Sequence, residues 1–145
     1  MFSKSDYKSF DRAKEIAINS DFSKTHIGCV AIYQGNVIAS GCNSNKTHPL
    51  QEYYNKYRKH NQDVLFSAKL HAEISCLSSI KDLDINFQKV KLYIYRQKKN
   101  GELGMSRPCK SCMAMINDLG IQHIYYTTDV GFAYENIKRK VREIA

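Results

Sequence analysis

The sequence contains no run of apolar residues approaching the ~20 that cross a bilayer, which excludes a membrane-spanning class. Its first residues, Met1-Phe2-Ser3-Lys4-Ser5-Asp6-Tyr7-Lys8, lack an apolar segment followed by small residues. Without such a secretory signal the expected compartment is the cytoplasm. Proline occurs only at Pro49 and Pro108, and there is neither a low-complexity run nor an internal period, so nothing marks a linker or a repeat. An even set of cysteines is also missing. The five, Cys29, Cys42, Cys76, Cys109 and Cys112, in a chain without an export signal argue against a disulfide framework and for reduced thiols or metal ligands.

What is present suits one domain spanning residues 1–145. A chain of 145 residues with 43% apolar and 25% charged residues has room for one core and falls in the ordinary range for a soluble globular fold. The net charge of +8, from 22 Lys+Arg against 14 Asp+Glu, suits anionic partners such as nucleotides or nucleic acid. It equally describes a lysine-rich solvated surface.

Tyr7, Phe10, Ala13 and Ala17, with Ile16 beside them, form the stripe of an amphipathic helix ending near Asn19. From Ile27 to Cys42, β-branched and apolar residues flank the turn cluster Gln34-Gly35-Asn36 and predict a hairpin. Residues Ser44 to Ser67 have weak periodicity and read as a long loop, with at most one helical turn around Tyr53 to Lys59. Ile74, Leu77 and Ile80 predict a second helix starting near His71, and Val90 to Tyr95 a third strand. Pro108, at the first helical position, opens a third helix that Gly120 closes. Ile121 to Thr127 follows as a fourth strand, parallel to the third because a helix joins them. Tyr134, Ile137, Val141 and Ile144 fit the spacing of a helix, while Asp129-Val130-Gly131 reads as a hairpin loop after which Phe132 to Ile137 pairs back; the favoured reading is the hairpin followed by a short basic helical tail. The order predicts a three-layer α/β/α fold with a mixed sheet of about five strands.

The chemistry concentrates in His71-Ala72-Glu73 and Pro108-Cys109-Lys110-Ser111-Cys112, each at a helix start. Two cysteines spaced by two residues on a first turn can face one centre, and His71 adds an imidazole. These three ligands suit Zn²⁺ and leave a fourth position for water, whose pKa such a metal brings to near ~7. Helix N-termini favour the thiolate forms. Mid-helix, Glu73 would diverge from His71 by ~200°, but a first turn is looser. There Glu73 can move a proton from water to a leaving nitrogen without ligating the metal, which fits hydrolytic removal of an amino group from an amidine-like carbon. Other readings exist. A lone C-x-x-C also serves thioredoxin-like redox pairs, and a closed structural zinc would need a fourth ligand, for which Cys76, His48 and His60 are candidates.

The paired signature resembles that of zinc deaminases. With Ile27-Gly28-Cys29-Val30-Ala31-Ile32, Gly41-Cys42-Asn43 and Leu119-Gly120-Ile121-x-x-Ile124-x-Tyr126 in the matching order, the chain resembles the cytidine deaminase-like superfamily, especially its deoxycytidylate-type branch. That resemblance implies a zinc hydrolase converting a cytosine nucleoside or nucleotide to the keto base with release of ammonia. It implies His71, Cys109 and Cys112 as metal ligands, Glu73 as proton shuttle, and Asn43 with the backbone of Ala72 and Cys109 as substrate contacts. A homo-oligomer is implied too. A base deaminase acting on tRNA or single-stranded DNA, or a catalytically silent zinc or nucleic-acid-binding module, are the alternatives. The sequence departs from the family pattern at Cys42, which replaces an aromatic, and at Arg107, which precedes the Pro-Cys. Asn45 to Pro49 and the tyrosines 53, 54 and 57 have no role in that pattern.

Overall fold

The computed structural model describes residues 2–58 and 69–145. Helix α1 (Lys4–Ala17) is started by a reciprocal cap: Ser3 Oγ accepts from the Asp6 N–H at 3.1 Å and the Ser3 N–H donates to Asp6 Oδ2 at 2.8 Å. Strands β1 (Thr25–Tyr33) and β2 (Asn36–Cys42) form the expected hairpin. Its turn needs two left-handed residues, Gln34 at φ 51° and Gly35 at φ 80°, the backbone of a tight primed turn.

The segment expected as a loop begins with a helix, α2 (Pro49–Tyr54), running into a 3-10 turn at Asn55–Arg58. Here Pro49 takes the first helical position, and His48 Nδ1 caps the helix by accepting from the Leu50 N–H at 3.1 Å. The helical turn expected at Tyr53 to Lys59 is therefore longer and earlier. Lys59, His60 and the rest of that segment to Ser67 lie outside the described residues.

Helix α3 (Ala72–Ser78) follows, then β3 (Lys91–Lys98), α4 (Lys110–Leu119), β4 (His123–Thr127), β5 (Phe132–Asn136) and β6 (Val141–Ile144). Pro108 is not the first residue of α4. The Cys109 backbone is extended and its carbonyl accepts the first helical bond, from Met113 N–H at 2.8 Å, so Cys109 is the cap and Pro108 precedes it. Gly120 closes α4 at φ 90° as expected.

Among the described residues the sheet has six strands in the order β2-β1-β3-β4-β5-β6, with β3 and β4 parallel and the other pairs antiparallel. The extra strand corrects the expected helical tail. An isolated short helix is marginal in water. The open edge of β5 offers Val141–Ile144 a full ladder instead, and Glu135 on β5 pairs with Arg142.

Alternation along the strands divides the core into two. Val30, Tyr93 and Tyr125 meet Phe10 and Ala13 of α1 on one face. Cys29, Ala31, Leu92, Ile94, Ile124 and Tyr126 meet α3 and α4 on the other, through Ile74, Leu77, Met115 and Ile116. The three-layer arrangement is as the sequence predicts. Gly28 sets how closely α1 approaches: a Cβ there would collide with Ala13 O and come within 2.5 Å of Ala17 N. Among the described residues, no helix is long and apolar enough to cross a membrane.

Candidate metal centre

The starts of α3 and α4 come together, so that His71 and Cys109, the N-caps of those helices, face each other. The His71 Nδ1 lies 3.4 Å from Cys109 Sγ and 3.3 Å from Cys112 Sγ. The donor atoms of these three residues all lie within 4.8 Å of one another. Zinc–nitrogen and zinc–sulfur bonds of ~2.0 and ~2.3 Å in a tetrahedron place nitrogen and sulfur roughly 3.6 Å apart, close to what is seen. One imidazole and two thiolates are also the donor chemistry zinc selects. Two of the candidate fourth ligands are engaged elsewhere: His48 caps α2, and Cys76 is fully buried in the core below α3. His60 lies outside the described residues.

Protonation follows the packing. The hydrogen bond from Cys112, with His71 adding to it, brings the Cys109 thiol down to about 3 despite its burial. Burial pushes Cys112 well up, and the neighbouring Cys109 and Glu73 charges add to that. Burial alone would lower His71, but the hydrogen bond to Cys109 and the charge of Glu73 turn the net shift upward. Zinc takes cysteine as thiolate and histidine as neutral imidazole, so ion binding at such a group is linked to loss of its remaining protons.

Glu73, on the first turn of α3, is 5% exposed. Burial, reinforced by Cys109, pushes its carboxyl up to about 7, with His71 opposing the rise. A carboxyl poised near neutrality at a cavity wall is suited to taking and giving a proton. The cavity it lines measures about 350 Å³. Phe22, Ile27, Leu70 and Met105 supply apolar wall, and Arg58, Lys69, Arg96 and Arg107 supply positive charge.

Asn43 is buried in this wall, and its amide is already used: Oδ1 accepts from Ile27 N–H at 2.9 Å and Nδ2 donates to the Thr25 carbonyl at 3.0 Å. One amide N–H is left over for a ligand. Ala72 is fully buried between the two wall residues His71 and Glu73.

Sequence reasoning missed the support behind the ligands. Gln51 Oε1 accepts the His71 backbone N–H at 2.9 Å, its Nε2 donates to Asn55 Oδ1 at 2.9 Å, and Ser111 Oγ donates to the same oxygen at 3.1 Å. Gln51 and Ser111 are fully buried, so this chain of amides and hydroxyl joins the starts of α3 and α4 through α2. The one available signal was two amides four apart in a segment with little other pattern.

Fold and site together set a His-Cys-Cys donor group that could hold a metal ion beside a buried carboxyl at the wall of an open cavity. The sequence family described as the cytidine and deoxycytidylate deaminase zinc-binding region matches residues 3–128, and the chain belongs to that family. Comparison with curated protein sequences returns no match. Among solved structures, the dCMP deaminase of cyanophage S-TIM5 is similar with a TM-score of 0.56 and 17% identity, over 87% of this chain and 84% of that one. The same phage enzyme in complex with dCMP and dUMP gives a TM-score of 0.57 and 18% identity, over 87% and 82%. The cytidine deaminase of Burkholderia pseudomallei gives 0.62 and 13%, over 95% of both chains. At these identities the likeness establishes the fold.

Proposed function

We propose that the protein is a zinc-dependent hydrolase that deaminates a cytosine nucleoside or nucleotide, exchanging the amino group for a water oxygen and releasing ammonia. The observation that carries this reading is the placement of the buried Glu73 carboxyl in the same cavity wall as a His71–Cys109–Cys112 donor set. A zinc module with a purely structural role has no need of such a carboxyl, whose burial costs stability.

In this reading His71, Cys109 and Cys112 hold the ion. When bound, zinc supplies Lewis acidity that makes a water acidic enough to attack at neutral pH. Glu73 accepts the proton of the attacking water and delivers it to the departing nitrogen, and its carboxyl near neutrality suits both halves of that task. Asn43 donates its remaining amide N–H to the substrate, and the backbone around Ala72 and Cys109 shapes the base pocket. The family resemblance adds a homo-oligomer, and the sequence a cytoplasmic location.

An ammonia-release assay over cytidine, deoxycytidine, their monophosphates, adenosine, guanine and short single-stranded DNA and RNA tests the activity. Turnover of a cytosine mononucleoside or mononucleotide is expected. Turnover confined to the oligonucleotides would replace this reading with the polynucleotide one. Glu73→Ala should keep its zinc and lose about 10²-fold or more of the rate. Normal deamination by that variant would rule out the proton-shuttle role.

A further inference from the structure

Among the cationic side chains lining the cavity, Arg96 on β3 is held by two neutral acceptors. Its Nε donates to Thr25 Oγ1 at 3.1 Å and its Nη1 to the Met105 carbonyl at 3.1 Å. The Thr25 hydroxyl spends its own proton on the Gln97 carbonyl at 3.1 Å, which turns its lone pairs toward the guanidinium. The backbone is pinned as well: the Arg96 N–H donates to Thr127 Oγ1 at 3.1 Å, and the Arg96 carbonyl accepts from Gly104 N–H at 3.0 Å.

Gly104 completes the cradle. A Cβ at that position would sit 2.9 Å from Arg96 Cδ and 3.1 Å from both Cγ and Nε, so the arginine stem lies in the space a side chain would fill. Such contacts oblige the arginine to move, since its flexible side chain yields more easily than backbone.

Both acceptors on the Arg96 guanidinium are neutral. No carboxylate pairs with it among the described residues, whereas the Arg107 guanidinium in the same cavity is bonded to Glu135 through two of its nitrogens. Three of the five guanidinium N–H groups of Arg96 remain for a ligand. A full positive charge, fixed in place and edged with paired donors, is the arrangement that recognises phosphate.

We propose that Arg96 is the specificity residue for a substrate phosphate, so that the preferred substrate is a cytosine nucleoside monophosphate and not the free nucleoside. The inference rests on the deaminase reading above and names the substrate class within it. Gly104 and Thr25 act as positioning residues, placing the guanidinium without touching the substrate.

The test compares kcat/KM for dCMP and deoxycytidine in the zinc-loaded wild type, Arg96→Ala, Arg96→Lys and Gly104→Ala, with zinc content and circular dichroism as checks on folding. The wild type should favour dCMP by about tenfold or more, the scale of one charge-assisted bidentate contact. Arg96→Ala should abolish that preference through KM for dCMP, leaving deoxycytidine within about twofold. Arg96→Lys should recover part of it, because the charge returns without the fork. Gly104→Ala keeps every charge and should still lose part of the preference, whereas a merely structural defect would lower both substrates alike. A wild type that favours deoxycytidine, or an Arg96→Ala variant that loses equally on both substrates or on neither, overturns the proposal. Should the wild type release ammonia from neither, the deaminase reading fails and calorimetric binding of dCMP against deoxycytidine to the same variants decides the role of Arg96. Phosphate-dependent affinity lost in Arg96→Ala supports it, and equal affinity for the two ligands overturns it.

Discussion

Arg107 and Glu135 are joined by two side-chain hydrogen bonds, Nε to Oε1 at 2.8 Å and Nη2 to Oε2 at 3.1 Å, which tie the residue before Pro108-Cys109 to strand β5. Glu135 also accepts from the Tyr126 hydroxyl at 2.5 Å and from Arg142 of β6 at 3.0 Å. The loop carrying a candidate metal ligand is thereby anchored to a hairpin beyond the family-matched residues 3–128.

This arrangement makes the protein acid-sensitive in a defined window. Burial alone would raise the Glu135 carboxyl, but the bonds from Arg107, Tyr126 and Arg142 outweigh it and hold it at about 2, below the ordinary 4.5. A carboxyl depressed on folding stabilises above its unfolded pKa, and that contribution disappears as pH falls through the folded value. Wild-type stability in urea should therefore decline between about pH 4.5 and 2. Glu135→Gln should flatten part of that decline and cost about 1–2 kcal/mol at pH 7, a modest figure because both arginines are half exposed. Parallel stability curves for the two proteins below pH 4.5 would show that Glu135 is not the responsible group.

Metal affinity should depend on the ligands and on the amides behind them. Cys109→Ala and Cys112→Ala are each expected to lose zinc on dialysis, measured by metal analysis, since two remaining donors do not complete a site. Gln51→Ala leaves all three ligands but removes the acceptor for the His71 N–H, and should weaken zinc binding by about 10-fold or more in a chelator competition. Unchanged zinc content in the cysteine variants would overturn the ligand assignment, and unchanged affinity in Gln51→Ala would confine that residue to packing.

The packing of α1 on β1 is tested at Gly28. The Cβ of Gly28→Ala meets backbone atoms of α1 at Ala13 and Ala17, which cannot swing aside as a side chain can. A loss of about 2–3 kcal/mol in urea denaturation is expected, the upper part of the range for overpacking. A loss below half a kcal/mol would mean that α1 shifts freely on the sheet.

How much of this was legible in the sequence depends on the range of the determining contacts. The hairpin, the parallel β3–β4 pair and the convergence of His71, Cys109 and Cys112 rest on local alternation, turn chemistry and fixed spacing, and each is readable. Helix α2 was not, because its register is set by the His48 cap and by burial of Gln51 and Tyr54, with no sustained stripe to signal it. Gln51 and Asn55 escaped for a related reason, since their partners His71 and Ser111 lie 20 and 56 residues away. Strand β6 replaces an expected helical tail: Val141 and Ile144 fall at helical spacing, and a fully exposed strand has no buried face whose alternation would oppose that reading. The helix begins at Lys110 with Cys109 as its cap, two residues later than a start at Pro108. That difference matters, because it makes both His71 and Cys109 caps, whose side chains project from the helix ends toward one point.

Strand β6 has one more consequence, for how the molecule behaves in concentrated solution. Among the described residues it is the edge strand of the sheet, paired with β5 alone, and presents the outer half of its backbone to whatever approaches. Arg142 and Glu143 within the strand, and Lys138-Arg139-Lys140 in the turn before it, place charge along that border. A second chain adding itself edge-on would have to desolvate those groups, so the charge that crowds this end of the chain guards it against strand-mediated aggregation.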